Sequence, residues 1–528
     1  MQMRLDPRDD PASKERTHLS ARAGACSKTD CAWQNRKPGA QYQRLKNLLI
    51  ILLALALAAA LLLRRDVAPP VPAPVVPVSV LPAPSVPEPP PPVPAPVIPE
   101  APPPPHPITT LLNEARANTA LAGAAIGFCL INAKGETVLA EDAHTAFIPA
   151  SSLKTLTTAT ALEILGPDFR FTTELKSTSP IKGGVIQGDL VISGGGDPML
   201  SIDDLKAWAA DLKQRGLVRV TGGIRTDGNV FRGSLYGDFW NWGDIGNGYG
   251  SGVAGLNLNH NRYTIVFRAG AAVGSPASIL GTDVEIPGVA WNNEVTTGAP
   301  DSGDGVVIHG GETTSAIHLR GTVPLGAAKL QVTGAVPDPA GFAAHQFRRA
   351  LQAAGIQVGA GRISTAPAAH SLLQHTSPPL IEIITSIHAS SDNHETECVF
   401  RMLGVKAAKP SAEVIREHWK PRGLEFIGLR MEDGCGLARA DFIRPFDLAR
   451  LQLLAGKGPQ GPAYKGSLLS RDGLRWKGGA MSGIRTSTGY VSGKSGAEFC
   501  YAFMVNHYAD GKAVSELSKR VMDAMLGL

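Results

Sequence analysis

Cysteine is scarce in this chain. The six are Cys26, Cys31, Cys129, Cys398, Cys435 and Cys500 of 528 residues, and no spacing among them resembles a metal knuckle. Aromatic residues make up 6% and charged residues 18%. The net charge is only +5. No basic stripe with interleaved aromatics occurs, which argues against nucleic acid as a partner. Where charge of one sign does gather, it gathers early. The first 46 residues hold ten Lys/Arg against five Asp/Glu.

What is present in excess is apolar and then proline. An unbroken apolar run occupies residues 48–63 and Arg64-Arg65 closes it. It is short for a full membrane span, which needs about twenty residues, and long for the core of a signal peptide. The basic excess ahead of it favours a cytoplasmic N-terminus. We therefore expect a cytoplasmic tail over 1–46, a single-pass inner-membrane anchor over 47–65 and the bulk of the chain in the periplasm. A cleaved leader with an overlong front is the alternative. Residues 69–107 contain 20 prolines, a composition that favours extended polyproline II. Residues 66–107 then act as a spacer that holds a domain away from a bilayer.

The rest has an ordinary globular composition and is long enough for two or three domains. Helical patterns are expected over 108–122, from Lys154 to about Leu165, over 202–214 and 341–355, near 445–454 and from Ala513 to Leu526. A hairpin is expected over 124–142. Strands are expected at Leu474–Lys477, Gly489–Val491 and Phe499–Asn506. From 171 to 375, Gly-rich turns separate short strands, the texture of one or two β-rich insert domains. Within it, Trp240, Trp242 and Tyr249 form an aromatic loop that either packs or meets a ligand. Cys129 and Cys500 fall in strand-like stretches at the two ends of the folded part. They are either paired or free and buried.

Three short patterns carry chemistry. Ser151-Ser152-Leu153-Lys154 opens a helical run. Positions i and i+3 share a helix face, so the Lys154 amine can lie beside the Ser151 hydroxyl, and a desolvated amine can activate a serine. Ser391-Asp392-Asn393 sits in a loop before a helix. Lys477-Gly478-Gly479 sits on a strand, where Gly479 is expected to let substrate approach the backbone. The order of the three is that of the penicillin-binding serine enzymes.

The chain resembles the D-Ala-D-Ala carboxypeptidase/endopeptidase family, the class C low-molecular-mass penicillin-binding proteins, over about 108–528. The similarity rests on the three patterns, on Leu165-Gly166-Pro167-Asp168-Phe169-Arg170-Phe171, on Gly196-Asp197-Pro198, and on Asp433-Gly434-x-Gly436-Leu437 followed by Arg439. The resemblance implies an α+β fold of the penicillin-binding/β-lactamase-like serine transpeptidase type, an antiparallel sheet with helices on both faces. Residues 108–170 and 376–528 would form the catalytic domain and 171–375 the β-rich insert. It also implies acyl transfer on peptidoglycan stem peptides and reaction with β-lactams, with no metal or organic cofactor. Ser151 would be the nucleophile and Lys154 its base. Ser391 and Lys477 would pass a proton to the leaving amine. Asn393 would hold the peptide amide, and Gly479 and Ala480 would line the substrate strand, Ala480 giving an oxyanion N–H with Ser151. The chain departs from the family at Gly478 and Ala480, where two threonines are usual, and at Cys435, where a serine is usual. Lys494-Ser495-Gly496 fits the third pattern literally, but it falls in the turn after Gly489-Tyr490-Val491, so Lys477 takes the catalytic position. Carboxypeptidase and D,D-endopeptidase cleavage are both open, as are a wall-binding scaffold with weakened turnover and a β-lactamase or esterase on the same fold. Oligomeric state is not encoded in any pattern here.

Overall fold

The computed structural model describes residues 105–360 and 367–528. The basic tail, the apolar run and nearly all of the proline-rich spacer lie outside them. Among the described residues no helix is long and apolar enough to cross a membrane, and the expected anchor lies outside those residues.

The organising element is a six-stranded sheet. Its order is Leu469–Arg471, Leu474–Met481, Ile484–Ser492, Glu498–Asn506, Ala125–Asn132 and Thr137–Glu141. Every pair in it is antiparallel. The N-terminal strand joins the C-terminal one, with Phe128 opposite Phe503 and Cys129 opposite Ala502. Both strands are apolar at nearly every position because both faces are covered. Phe128, Leu130, Tyr501, Phe503 and Val505 meet the helices Pro107–Ala117 and Gly511–Leu526. Cys129, Ile131, Cys500, Ala502 and Met504 face a larger helical core. Thus the sheet carries helices on both faces. All four cysteines among the described residues are buried and free. Cys129 and Cys500 lie on adjacent strands but out of register, since Cys500 is opposite Ile131.

The helices of the larger core follow from their spacing. Leu380–Ser390 buries Leu380, Ile383, Ile384 and Ile387, one stripe at the helical period. Each such side chain contributes about 1.5–3 kcal/mol of transfer free energy. Lys154–Ile164 differs, because it is buried almost all round. Its threonines are satisfied locally: Thr160 bonds the Leu156 carbonyl at 2.6 Å and Thr158 the Lys154 carbonyl at 2.8 Å.

The chain leaves this core along Thr172–Ser177 and returns along His370–Thr376, which pair antiparallel. Between them lie short sheets with both parallel and antiparallel pairs. Their own apolar core draws on residues from Leu175 to Ile356. The helices Ile202–Gln214 and Pro339–Ala353 close it, with Trp208 edge-on to Phe347 at 6.1 Å.

Candidate active site

Ser151 lies not on the α-helix but in a 3₁₀ turn, Ala150–Leu153, immediately before it. This corrects the helical placement expected from spacing. In a 3₁₀ turn, side chains three apart eclipse, so the pairing of Ser151 with Lys154 survives. The turn is held in an unusual shape. Ala150 has φ 47°, a conformation that non-glycine residues seldom adopt. Gly436, itself at φ 80°, presses against the Ala150 carbonyl so closely that a Cβ there has no room.

Lys154 is fully buried. Its Nζ lies 3.0 Å from Ser151 Oγ, 2.6 Å from Asn393 Oδ1 and 2.7 Å from the Cys435 carbonyl oxygen. Burial lowers its pKa below the ordinary lysine value, while Cys435, Asp433, Asp392 and Glu397 pull the other way. A neutral amine has two N–H bonds and one lone pair. Asn393 and Cys435 take the two hydrogens, and the lone pair then faces the Ser151 hydroxyl.

The second serine sits where two helices meet. Ser391 ends Leu380–Ser390 in the left-handed conformation, φ 61°. Asp392 then caps Asn393–Ala407, accepting from Glu395 N at 2.9 Å. Ser391 Oγ accepts from Lys477 Nζ at 2.8 Å. Lys477 also donates to the Gly478 carbonyl at 2.8 Å. Burial, helped by the Lys154 charge, lowers the Lys477 pKa to about 7. Ser151, Lys154, Ser391, Asn393 and Lys477 therefore converge on one cleft. Gly479 and Ala480 line it as well. Lys494 does not, being exposed in the turn between Ile484–Ser492 and Glu498–Asn506.

Gly479 has a different reason to be glycine from the one expected. A Cβ on it would run into Thr486 Oγ1 and would stand 2.7 Å from Ser151 N and 2.9 Å from the Pro149 carbonyl oxygen. Its missing side chain admits the nucleophile turn against the strand, not the substrate.

Several supporting contacts are announced by no local pattern in the sequence. Arg262, from the insert, pairs with Asp392 at 2.6 Å. Burial alone would raise the Asp392 pKa, but the guanidinium holds it well below the usual carboxylate range. His260 meets Glu395 at 3.0 Å. Asn393 Nδ2 donates to the Tyr249 carbonyl at 2.8 Å. Trp240 Nε1 donates to Asp433 at 2.8 Å, alongside the N–H groups of Cys435, Gly436 and Ala438. The aromatic loop thus divides: Trp240 is packed, while Trp242 and Tyr249 are exposed. Burial and Asp433 raise Glu397 to about 7. Among the described residues two groups bring possible metal donors together, His260/Asp392/Glu395 and Glu397/Asp433/Cys435. In the first Arg262 already occupies Asp392, and in the second Asp433 is taken up by four N–H donors.

Ser151, Ser391 and Ala480 line two cavities at once. One, about 390 Å³, extends toward Asn393, Asp244 and Arg439. The other, about 460 Å³, extends past Lys477 and Gly478. A nucleophile between two cavities suits a substrate that continues on both sides of the bond attacked.

Comparison with known proteins finds the following relatives. The D-Ala-D-Ala carboxypeptidase 3 (S13) family matches residues 108–469. A D-alanyl-D-alanine carboxypeptidase of Actinomadura sp. (strain R39) is 31% identical over 430 residues, 74% of this chain and 79% of its own length. The D-alanyl-D-alanine carboxypeptidase DacB of Haemophilus influenzae is 24% identical over 430 residues, 75% of this chain and 88% of its own length. The crystal structure of penicillin binding protein 4 from Haemophilus influenzae shares the fold. Its TM-score is 0.69 at 20% identity, covering 80% of this chain and 99% of that one.

Proposed function

Because this chain belongs to the D-Ala-D-Ala carboxypeptidase 3 (S13) family, we propose that its cleft removes D-alanine from peptidoglycan stem peptides through an acyl-enzyme on Ser151. It is a serine-type D-Ala-D-Ala carboxypeptidase and a penicillin-binding protein. A relative of the same fold has been solved with a β-lactam bound. The observation that carries the assignment of roles is the Lys154 amine. It is fully buried, 3.0 Å from Ser151 Oγ, with two other acceptors to take its hydrogens.

Neutral Lys154 takes the Ser151 proton as Oγ attacks the carbonyl between the last two D-alanines. The N–H groups of Ser151 and Ala480 stabilise the oxyanion. The C–N bond then breaks. The leaving amine takes a proton from Ser391, which Lys477 replaces across their 2.8 Å hydrogen bond. Asn393 holds the substrate amide, and water hydrolyses the ester. The cavity of about 460 Å³ beside Lys477 is far larger than an alanine needs. That favours a second reading, in which the same acyl-enzyme also cleaves cross-linked peptides whose leaving group is a whole second stem.

Residues 108–170 and 376–528 form the catalytic part in this reading, and 171–375 the insert. The basic tail and apolar run support a reading in which the chain is anchored in the inner membrane with its catalytic part in the periplasm, which alkaline carbonate fractionation tests: full-length protein in the soluble fraction overturns the anchor. For the activity, D-alanine released from a soluble pentapeptide should be seen with the unsubstituted chain and lost in Ser151→Ala. Undiminished release by the variant moves the nucleophile elsewhere.

A further inference from the structure

Opposite Ala480 stands Arg485, its partner across the two neighbouring strands. Paired residues share a face of a sheet, and so do residues two apart. Gly478, Ala480 and Arg485 are therefore on one side, away from the face that carries Lys477 and Gly479. Nothing longer than a methyl grows from 478 or 480. A Cβ added at Gly478 would find one neighbour, the Thr486 carbonyl oxygen at 3.7 Å. The cavity that begins at Ser151 consequently runs over this bare stretch of strand and reaches Arg485.

Arg485 is placed to hold something. Nη2 donates to Ser515 on the C-terminal helix at 3.2 Å. Nε is buried with no hydrogen-bond partner among the described residues, and no carboxylate among them pairs with the guanidinium. A buried N–H without an acceptor is costly. A guanidinium presents its donors in the fork that fits a planar carboxylate. The threonines usual at 478 and 480 would have put their hydroxyls on this same face.

We infer that Arg485 anchors the substrate's terminal carboxylate, taking the place of the two hydroxyls missing from its neighbour strand. This rests on the peptidase reading above. Anionic leaving groups, and the carboxylate of a β-lactam, bind with the carboxylate over Gly478 and within reach of Arg485. The guanidinium then does by charge what the hydroxyls would do by hydrogen bonds.

The test uses two soluble peptides ending in D-Ala-D-Ala, one with a free carboxylate and one with a C-terminal amide. In Arg485→Ala, KM for the free acid should rise about tenfold or more while the amide is turned over as before. Adding Gly478→Thr and Ala480→Thr to Arg485→Ala should restore binding of the acid, which no repair of a merely structural defect would do. Equal losses on acid and amide, or no loss on either, overturn the anchor. So does a triple variant that fails to recover while its melting temperature stays at that of Arg485→Ala. An unsubstituted chain that releases neither D-alanine from the acid nor D-alaninamide from the amide would instead overturn the peptidase reading, and this inference with it.

Discussion

Two lysines share one cleft, and a charge on Lys154 makes Lys477 harder to protonate. Burial is the main reason Lys477 titrates near 7, and the Lys154 charge adds to it. Replacing Lys154 by Met removes that charge wherever Lys154 is protonated, so the Lys477 midpoint should move upward. NMR titration of ¹³C-labelled lysine side chains reads this directly, and an unmoved midpoint would break the coupling. The sign for stability follows from proton counts. The folded chain binds fewer protons at Lys477 than the unfolded chain between about pH 7 and the ordinary value of 10.5. Stability should rise with pH across that window. Lys477→Met should flatten the rise in melting temperature. The Ser151–Lys154 pair was legible in the sequence because both helical and 3₁₀ turns bring such residues together. The reason for Gly479 was not, since it depends on a turn more than 300 residues away in the chain.

At the scale of elements, the strand Leu474–Met481 decides the site. Its register places Lys477 by Ser391, Gly479 by the nucleophile turn and Gly478 over open space. Gly479→Ala should therefore cost about 1–3 kcal/mol or distort the turn, since it meets backbone on two sides. Gly478→Ala should leave the melting temperature near that of the unsubstituted chain, since a Cβ there meets a single atom at 3.7 Å. If penicillin acylates Gly479→Ala at the full rate, the close approach is not functional. Lys494→Ala should change stability by under about 0.5 kcal/mol and acylation not at all, whereas Lys477→Ala should lose most acylation. Most helices and strands could be read from apolar period and Gly/Pro punctuation. The helix expected near 445–454 runs on to Lys457, because Gly458 and not an apolar change ends it. Cysteine pairing was undecidable from sequence because it turns on register, and the register sets Cys129 and Cys500 out of line.

The whole molecule ties its two cores together at the second serine. Arg262, His260 and Tyr249, all from the insert, hold Asp392, Glu395 and Asn393. No local pattern announces such contacts, because their partners lie more than 100 residues along the chain. Asp392 contributes stability above its unfolded-state pKa and loses it as pH falls through its lower folded value. Arg262→Met leaves that carboxylate buried and unpaired, a loss on the order of 3–5 kcal/mol, and it should slow acylation by loosening Asn393. Calorimetry and penicillin kinetics on the same protein check both. Full stability in the variant would mean the insert does not brace the site. The central claim is simpler than any of these: Ser151 Oγ is the atom that carries the acyl group. Penicillin should add once to the intact protein, and peptide mapping by mass spectrometry should find the adduct on Ser151. An adduct on Ser152 or Ser391, or none with the protein folded, contradicts it.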